Sequence, residues 1–291
     1  MSGDRDGLAR SVQVRLARHA RAIGVDPNLV LTRYAVERFL YRLSRSPHAD
    51  RFVLKGALLL LVWLGDTLHP TRDAGLLGFG DLSAEVLAGI FGEICDVLVE
   101  PDAMTFLADT LRVAPIRLAD EYGGHRVTLQ SRLGAARLRV QVDVGIGDIV
   151  TPEPAWLDYP SLLDLPRPRL RAYSRASVIA EKLHAMVVLG SANSRMKDYF
   201  DLHALLHENA SSPGELERAI SATFERRRTE LPYDVPLGLT DEFARDASKQ
   251  AQWKAFLDKN RLEAPRLQQV VADMRDLMTS ALRAAREVGG Q

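Results

Sequence analysis

The chain has 291 residues, 46% hydrophobic and 26% charged, which is enough for one large or two ordinary domains of a globular protein. Basic and acidic residues balance at 38 each, which excludes a whole-surface nucleic-acid binder while leaving room for a local basic face. The single cysteine, Cys95, excludes a disulfide framework and fits a reducing compartment.

The longest apolar run, 57–64, falls short of the ~20 residues a membrane span needs, and the first residues are polar with no apolar signal segment. The expectation is a cytoplasmic protein with no membrane partner. Apolar residues at helical spacing (Val12, Leu16, Ala20, Ile23) predict a first helix. Asp26-Pro27 opens a second, with an acceptor at the N-cap and proline at the first helical position. Phe52 to Lys55 reads as a strand that turns at Gly56 into a short apolar helix ending at Leu64. A strand resumes over Thr71-Arg72-Asp73-Ala74-Gly75-Leu76-Leu77, with Asp73 near its start. A glycine between strand and helix lets backbone approach a phosphate, and a neighbouring aspartate can hold a divalent metal against it. The same residues also fit a plain tight turn with a solvated carboxylate, and at this point both readings stand.

A helix is predicted over 82–98, with Cys95 as core. The period then shortens. Strands are predicted over 111–118, 125–133 and 136–144, the last two alternating and joined by a turn at Gly134. Arg139, Gln141 and Asp143 share one face of the last strand. Prolines 152, 154, 160, 166 and 168 make 151–168 a linker. Ser174 caps a helix that Gly190 ends, and Lys182 projects from its apolar stripe, either snorkelling past the core or meeting an anion. Asp198 and Asp201, three apart, lie on one face of the next helix. Ser212-Pro213 opens another as a capping box, Thr240 one to about residue 258, and Pro265 the last. Arg226-Arg227-Arg228 is a basic helix end open to solvent or phosphate.

Taken in order, Phe52-Val53-Leu54-Lys55-Gly56, Thr71-Arg72-Asp73, Val142-Asp143-Val144-Gly145, Glu181-Lys182-Leu183 and Asn193-Ser194-Arg195-Met196-Lys197-Asp198 with Asp201-Leu202 resemble the AbiEii/AbiGii toxin family, which includes the mycobacterial MenT toxins. The resemblance covers about residues 30–210. It implies an α+β fold: a DNA polymerase β-like nucleotidyltransferase core with a mixed sheet over 49–165, flanking N-terminal helices over 1–48, and a helical C-terminal domain over 166–291. It implies a toxin, paired with a cognate antitoxin, that transfers NMP from an NTP to RNA at the 3′ end of tRNA, with Mg²⁺ or Mn²⁺. Lys55, Gly56, Thr71, Arg72, Lys182 and Asp198 would then bind the nucleotide, Asp73 and Asp143 the metal, and Asp73, Lys182 and Asp201 would be catalytic. Arg167, Arg169, Arg171 and Arg175 are the basic residues placed to meet an RNA.

The chemistry makes sense of that set. Two divalent ions bridging carboxylates can activate an oxygen nucleophile and neutralise leaving pyrophosphate. One departure stands out. The family has two aspartates one residue apart on the first metal strand, and here the second place is Gly75, which offers no ligand. Ala57, after Gly56, is a milder change. The expectation is therefore an impaired enzyme, or alternatively a catalytically inactive nucleotide- or antitoxin-binding member of the same fold.

Overall fold

The computed structural model describes residues 2–65, 71–116, 123–148, 150–207 and 214–289. The described residues form two compact units: those within 2–65, 71–147 and 155–172 make the first, and those within 148–154 and 173–289 the second.

The first unit opens with helices α1 (Ser2–Ala22) and α2 (Pro27–Arg45). As the sequence predicts, Asp26 caps α2, its side chain accepting from the Asn28 N–H at 2.9 Å. Strand β1 (Phe52–Lys55) leads into α3 (Ala57–Leu64), followed by β2 (Ala74–Gly78) and α4 (Ala84–Cys95). Three long strands follow, β3 (Met104–Ile116), β4 (Gly124–Leu133) and β5 (Ala136–Ile146), then two short ones, β6 (Ala155–Asp158) and β7 (Arg169–Ala172). They form one mixed sheet in the order β3-β4-β5-β2-β1-β7-β6. β1 runs antiparallel to β2 and parallel to β7, and β2 runs parallel to β5. Val127 and Leu129 with Leu138, Val140, Val142 and Val144 bury the core face of the hairpin. Phe39 on α2 packs against Phe91 on α4 and Phe106 on β3 at 5.6 and 5.3 Å between centroids.

The proline-rich stretch is not a free linker. It carries β6, and at Ser161, Leu162 and Pro166 it is fastened to α2 by buried charges. Glu37, 1% exposed, accepts from Ser161 Oγ and Leu162 N–H, both at 2.8 Å. Arg38, also 1% exposed, donates to the Pro166 carbonyl at 3.0 Å. Burial holds the Glu37 carboxyl above its ordinary value, and those two donors offset only part of that rise. Arg42 forks onto Asp102 at 2.6 and 3.1 Å, holding the start of β3.

The second unit is helical: α5 (Arg175–Leu189), α6 (Met196–His207), α7 (Glu215–Arg226), α8 (Asp241–Arg245), α9 (Ala247–Asn260) and α10 (Leu267–Gly289). Ser174 caps α5 by accepting from Ser177 N–H, and Gly190, at φ 48°, ends it. The helix expected from Thr240 is two, because Asp246 leaves the helical conformation and caps α9 by accepting from Lys249 N–H. α7 begins after Gly214; Ser212 and Pro213 of the expected capping box lie outside the described residues. Among the described residues no helix is long and apolar enough to cross a membrane.

Candidate active site

In the first unit the sheet register sets a row of residues across four strands. Lys55 on β1 pairs with Gly75 on β2, Gly75 with Asp143 on β5, and Asp143 with Arg126 on β4. Cross-strand partners point to the same face, so these four share one side of the sheet. At the end of β1, Gly56 adopts φ 79° and ψ −156°, a region that essentially only glycine occupies. The chain can therefore turn from strand directly into α3, leaving the first N–H groups of that helix without partners inside it.

Arg126 grips Asp143 with two parallel hydrogen bonds, Nε to Oδ1 at 2.8 Å and Nη2 to Oδ2 at 2.7 Å. The Arg126 guanidinium is held above its ordinary value, first by the bond to Asp143, with Asp73 adding to the attraction. Arg126 therefore holds Asp143 directly, while Asp73 acts on it only through its charge. Asp73 itself is exposed and lies one residue before β2, not within it. Thr71 is buried and Arg72 exposed, its guanidinium 4.0 Å from Asp26. Gly75 is a tight position: a Cβ there would stand 3.0 Å from the Lys55 carbonyl oxygen. At Gly145 the missing side chain leaves room for the Lys55 ammonium, which lies 3.7 Å from where a Cβ would be.

The second unit has its own charged cluster. Lys182 on α5 donates to Asp198 Oδ1 at 2.6 Å and to Asp201 Oδ2 at 2.7 Å, both on α6. The lysine side chain is 12% exposed and each aspartate 1%. Of the two fates open to Lys182, it meets anions, and the anions are the protein's own. Burial lowers its pKa, but Asp201 and Asp198 outweigh that and hold the ammonium above the ordinary lysine value. Arg195 Nε adds an ionic contact to Asp198 Oδ2 at 2.6 Å, without hydrogen-bond direction. Nearby, Arg227 binds Asp148 at 3.1 Å and Glu181 at 3.2 Å. Within its basic helix end, Arg227 is thus a paired, largely buried residue. Arg195, Lys197 and Lys259 line a cleft of about 490 Å³ beside the start of α6.

Arg126, the residue closest to Asp143's chemistry, was missed in the sequence. The signal was there: β4 and β5 pair Leu133 with Ala136 at the turn, and stepping back along both strands brings Arg126 opposite Asp143. Two of the four arginines expected to meet RNA, Arg167 and Arg169, line a cleft of about 500 Å³ with Tyr41, Arg45 and Trp156. Trp156 is 52% exposed, with the Arg169 guanidinium 5.8 Å from its ring centroid. Cys95 has no chemistry: burial pushes its thiol up to about 12.

The metal fit follows from the donors. Asp73 and Asp143 offer hard oxygens, which suit Mg²⁺, a cation bound through one or two carboxylates plus substrate phosphates. With glycine at position 75 the row has no further carboxylate, and both oxygens of Asp143 already hold Arg126. The residues fit one cation completed by phosphate oxygens and do not fit a pair of ions held by the protein.

Residues 38–278 match the family described as "Nucleotidyl transferase AbiEii toxin, Type IV TA system", a match that runs well past residue 210, where the recognisable motifs end. The fold is similar to that of MenT4, a nucleotidyltransferase toxin of Mycobacterium tuberculosis, at 18% identity and TM-score 0.53, covering 94% of this chain and 98% of that one. JHP933 from Helicobacter pylori aligns at 13% identity and TM-score 0.44, over 87% of this chain and 90% of that one. No curated protein sequence matches. With a mixed sheet, a helical second unit and a family match over most of its length, the chain belongs to the AbiEii nucleotidyltransferase toxins of toxin–antitoxin systems.

Proposed function

We propose that this chain transfers NMP from an NTP to an RNA acceptor, the 3′ end of a tRNA, in the cytoplasm and with Mg²⁺, at a rate lowered by Gly75. The observation that carries the reading is the sheet row that sets Asp143, forked onto Arg126, in line with Lys55 and the Gly56 turn, with Asp73 exposed at the head of β2. The acceptor's hydroxyl oxygen forms a bond to the α-phosphorus, the bridge between the α and β phosphorus atoms breaks, and pyrophosphate leaves. Asp73, exposed at the head of β2, takes the hydroxyl proton. Lys55 and the N–H groups after Gly56 meet the triphosphate. A bound divalent cation would supply charge neutralisation to the phosphates, held by Asp73 and by Asp143 once Arg126 yields. Lys182 spends two of its three N–H donors on Asp198 and Asp201. Trp156 with Arg167 and Arg169 offers stacking and charge of the kind that single-stranded RNA takes. The antitoxin is the module's second component.

The test is transfer of label from each α-labelled NTP to total RNA with Mg²⁺, comparing this chain with its Gly75→Asp and Gly75→Ala forms. Label rising about a hundredfold in Gly75→Asp alone is the expected result, since groups acting as a unit fail together. Equal label in all three would show that Asp73 and Asp143 suffice. No label with any form favours the second reading, a binding module that holds nucleotide without turning it over. The closed Arg126–Asp143 pair is the observation that supports that alternative.

A further inference from the structure

Away from both clusters, the far end of α6 presents an arrangement that the transfer reaction does not use. His203 and His207 are four residues apart on α6, hence on one face. Asp273 reaches them from α10. His203 Nε2 lies 2.9 Å from Asp273 Oδ2 and 3.1 Å from His207 Nε2. One donor atom from each of the three lies within 4.8 Å of the other two.

A single proton serves this geometry only as one shared, bent hydrogen bond. A ring nitrogen has one in-plane direction, used either by an N–H or by a lone pair. If His203 Nε2 carries the hydrogen, Asp273 and His207 Nε2 must share it, because the N–H has one direction and two acceptors. If it does not, its lone pair faces the aspartate oxygen at 2.9 Å. A cation at the common focus accepts all three donors at once. Metal–ligand bonds of about 2.0–2.1 Å at tetrahedral angles place neighbouring donors about 3.3 Å apart. The observed 2.9 and 3.1 Å separations are within a few tenths of that. Asp273 is also aimed: its other oxygen accepts from Gln269 Nε2 at 2.6 Å, the kind of outer contact that orients a metal ligand. His203 is 14% exposed and Asp273 30%, while His207 lies open to solvent.

We propose that His203, His207 and Asp273 form a transition-metal site, of the Zn²⁺ class, that clamps α6 to α10 and leaves a fourth position to water. Two imidazoles and one carboxylate select zinc-like ions over Mg²⁺, which prefers oxygen alone. The site is independent of the transfer reaction and of the nucleotide. The helix it clamps is the one that carries Asp198 and Asp201.

The experiment uses the full-length chain without an affinity tag, stripped with EDTA, titrated with ZnCl₂ by calorimetry and melted with and without the ion. One Zn²⁺ per chain and a melting temperature raised by about 5 °C are expected. His207→Ala, an exposed change, should leave the metal-free melting temperature in place, weaken Zn²⁺ at least about tenfold and abolish the rise. Asp273→Asn should act in the same direction. A four-coordinate visible spectrum with Co²⁺, lost in His207→Ala, would identify the ligand field. Zn²⁺ binding that is absent, or equally tight in His207→Ala and Asp273→Asn, overturns the proposal, leaving His203 and Asp273 as an ordinary ion pair.

Discussion

The two charged clusters differ in what surrounds them more than in chemistry. Arg126–Asp143 is a forked pair with side chains 45% and 26% exposed. Lys182 with Asp198 and Asp201 is a triad at 12%, 1% and 1%. Water competes for the first, so its Coulomb energy is small and its partners can be exchanged. In the second, removing one member strands the others without solvent. The lesson is that the sheet cluster is suited to giving up Arg126 for a substrate or an ion. The α5–α6 cluster is suited to holding still.

The contrast is most severely tested at Lys182. Lys182→Met leaves two buried aspartates facing each other, and about 3–5 kcal/mol of stability should be lost. Urea denaturation followed by circular dichroism reads it directly. If the midpoint is unchanged while label transfer disappears, Lys182 serves the substrate and the triad is not a structural core. The raised lysine pKa adds a pH signature. Its contribution is fully present below the ordinary lysine value of about 10.4 and is lost as pH climbs through the raised one. Loss of this contribution in the native chain should therefore begin above about pH 10 and be missing in Lys182→Met.

Asp73→Asn comes next in size. An exposed carboxylate with no structural duty should leave the denaturation curve in place, while any transfer seen with the Gly75→Asp chain falls about a thousandfold. A loss of stability instead would make Asp73 a structural group. Arg126→Gln should shift stability by no more than about 1 kcal/mol. It should also lower the Mg²⁺ concentration needed for half-maximal transfer by the Gly75→Asp chain, because Asp143 no longer has to be released. A higher Mg²⁺ requirement would mean that Arg126 helps to hold the phosphates.

What could be read in the sequence was local. Asp26-Pro27, the Gly56 turn, Ser174 and Gly190 announce themselves through capping and backbone chemistry confined to a few residues. The β4–β5 hairpin announces itself through alternation. The strands hidden among prolines could not be read, because β6 and β7 owe their place to pairing with each other and with β1, far away in sequence. Helical spacing put Asp198 and Asp201 on one face, but not that this face turns toward Lys182. The Asp246 break and the His203–His207 pair each had a short signal that propensity over a long helix obscures.

Gly75→Ala has the smallest expected effect and protects the interpretation of the others. Replacing glycine in a strand gains about 0.5–1 kcal/mol by restricting the unfolded chain. Against that, the new Cβ meets the Lys55 carbonyl oxygen at 3.0 Å, tight enough that β1 must give by a few tenths of an ångström. The two effects oppose, and the denaturation midpoint should move by less than about 1 kcal/mol in either direction. A near-neutral Gly75→Ala means that the strand tolerates a side chain there, so the fate of Gly75→Asp reports on the carboxylate rather than on folding. A large loss would show that the closeness of Lys55 is what keeps this position glycine, and that restoring the missing ligand requires the β1–β2 spacing to change first.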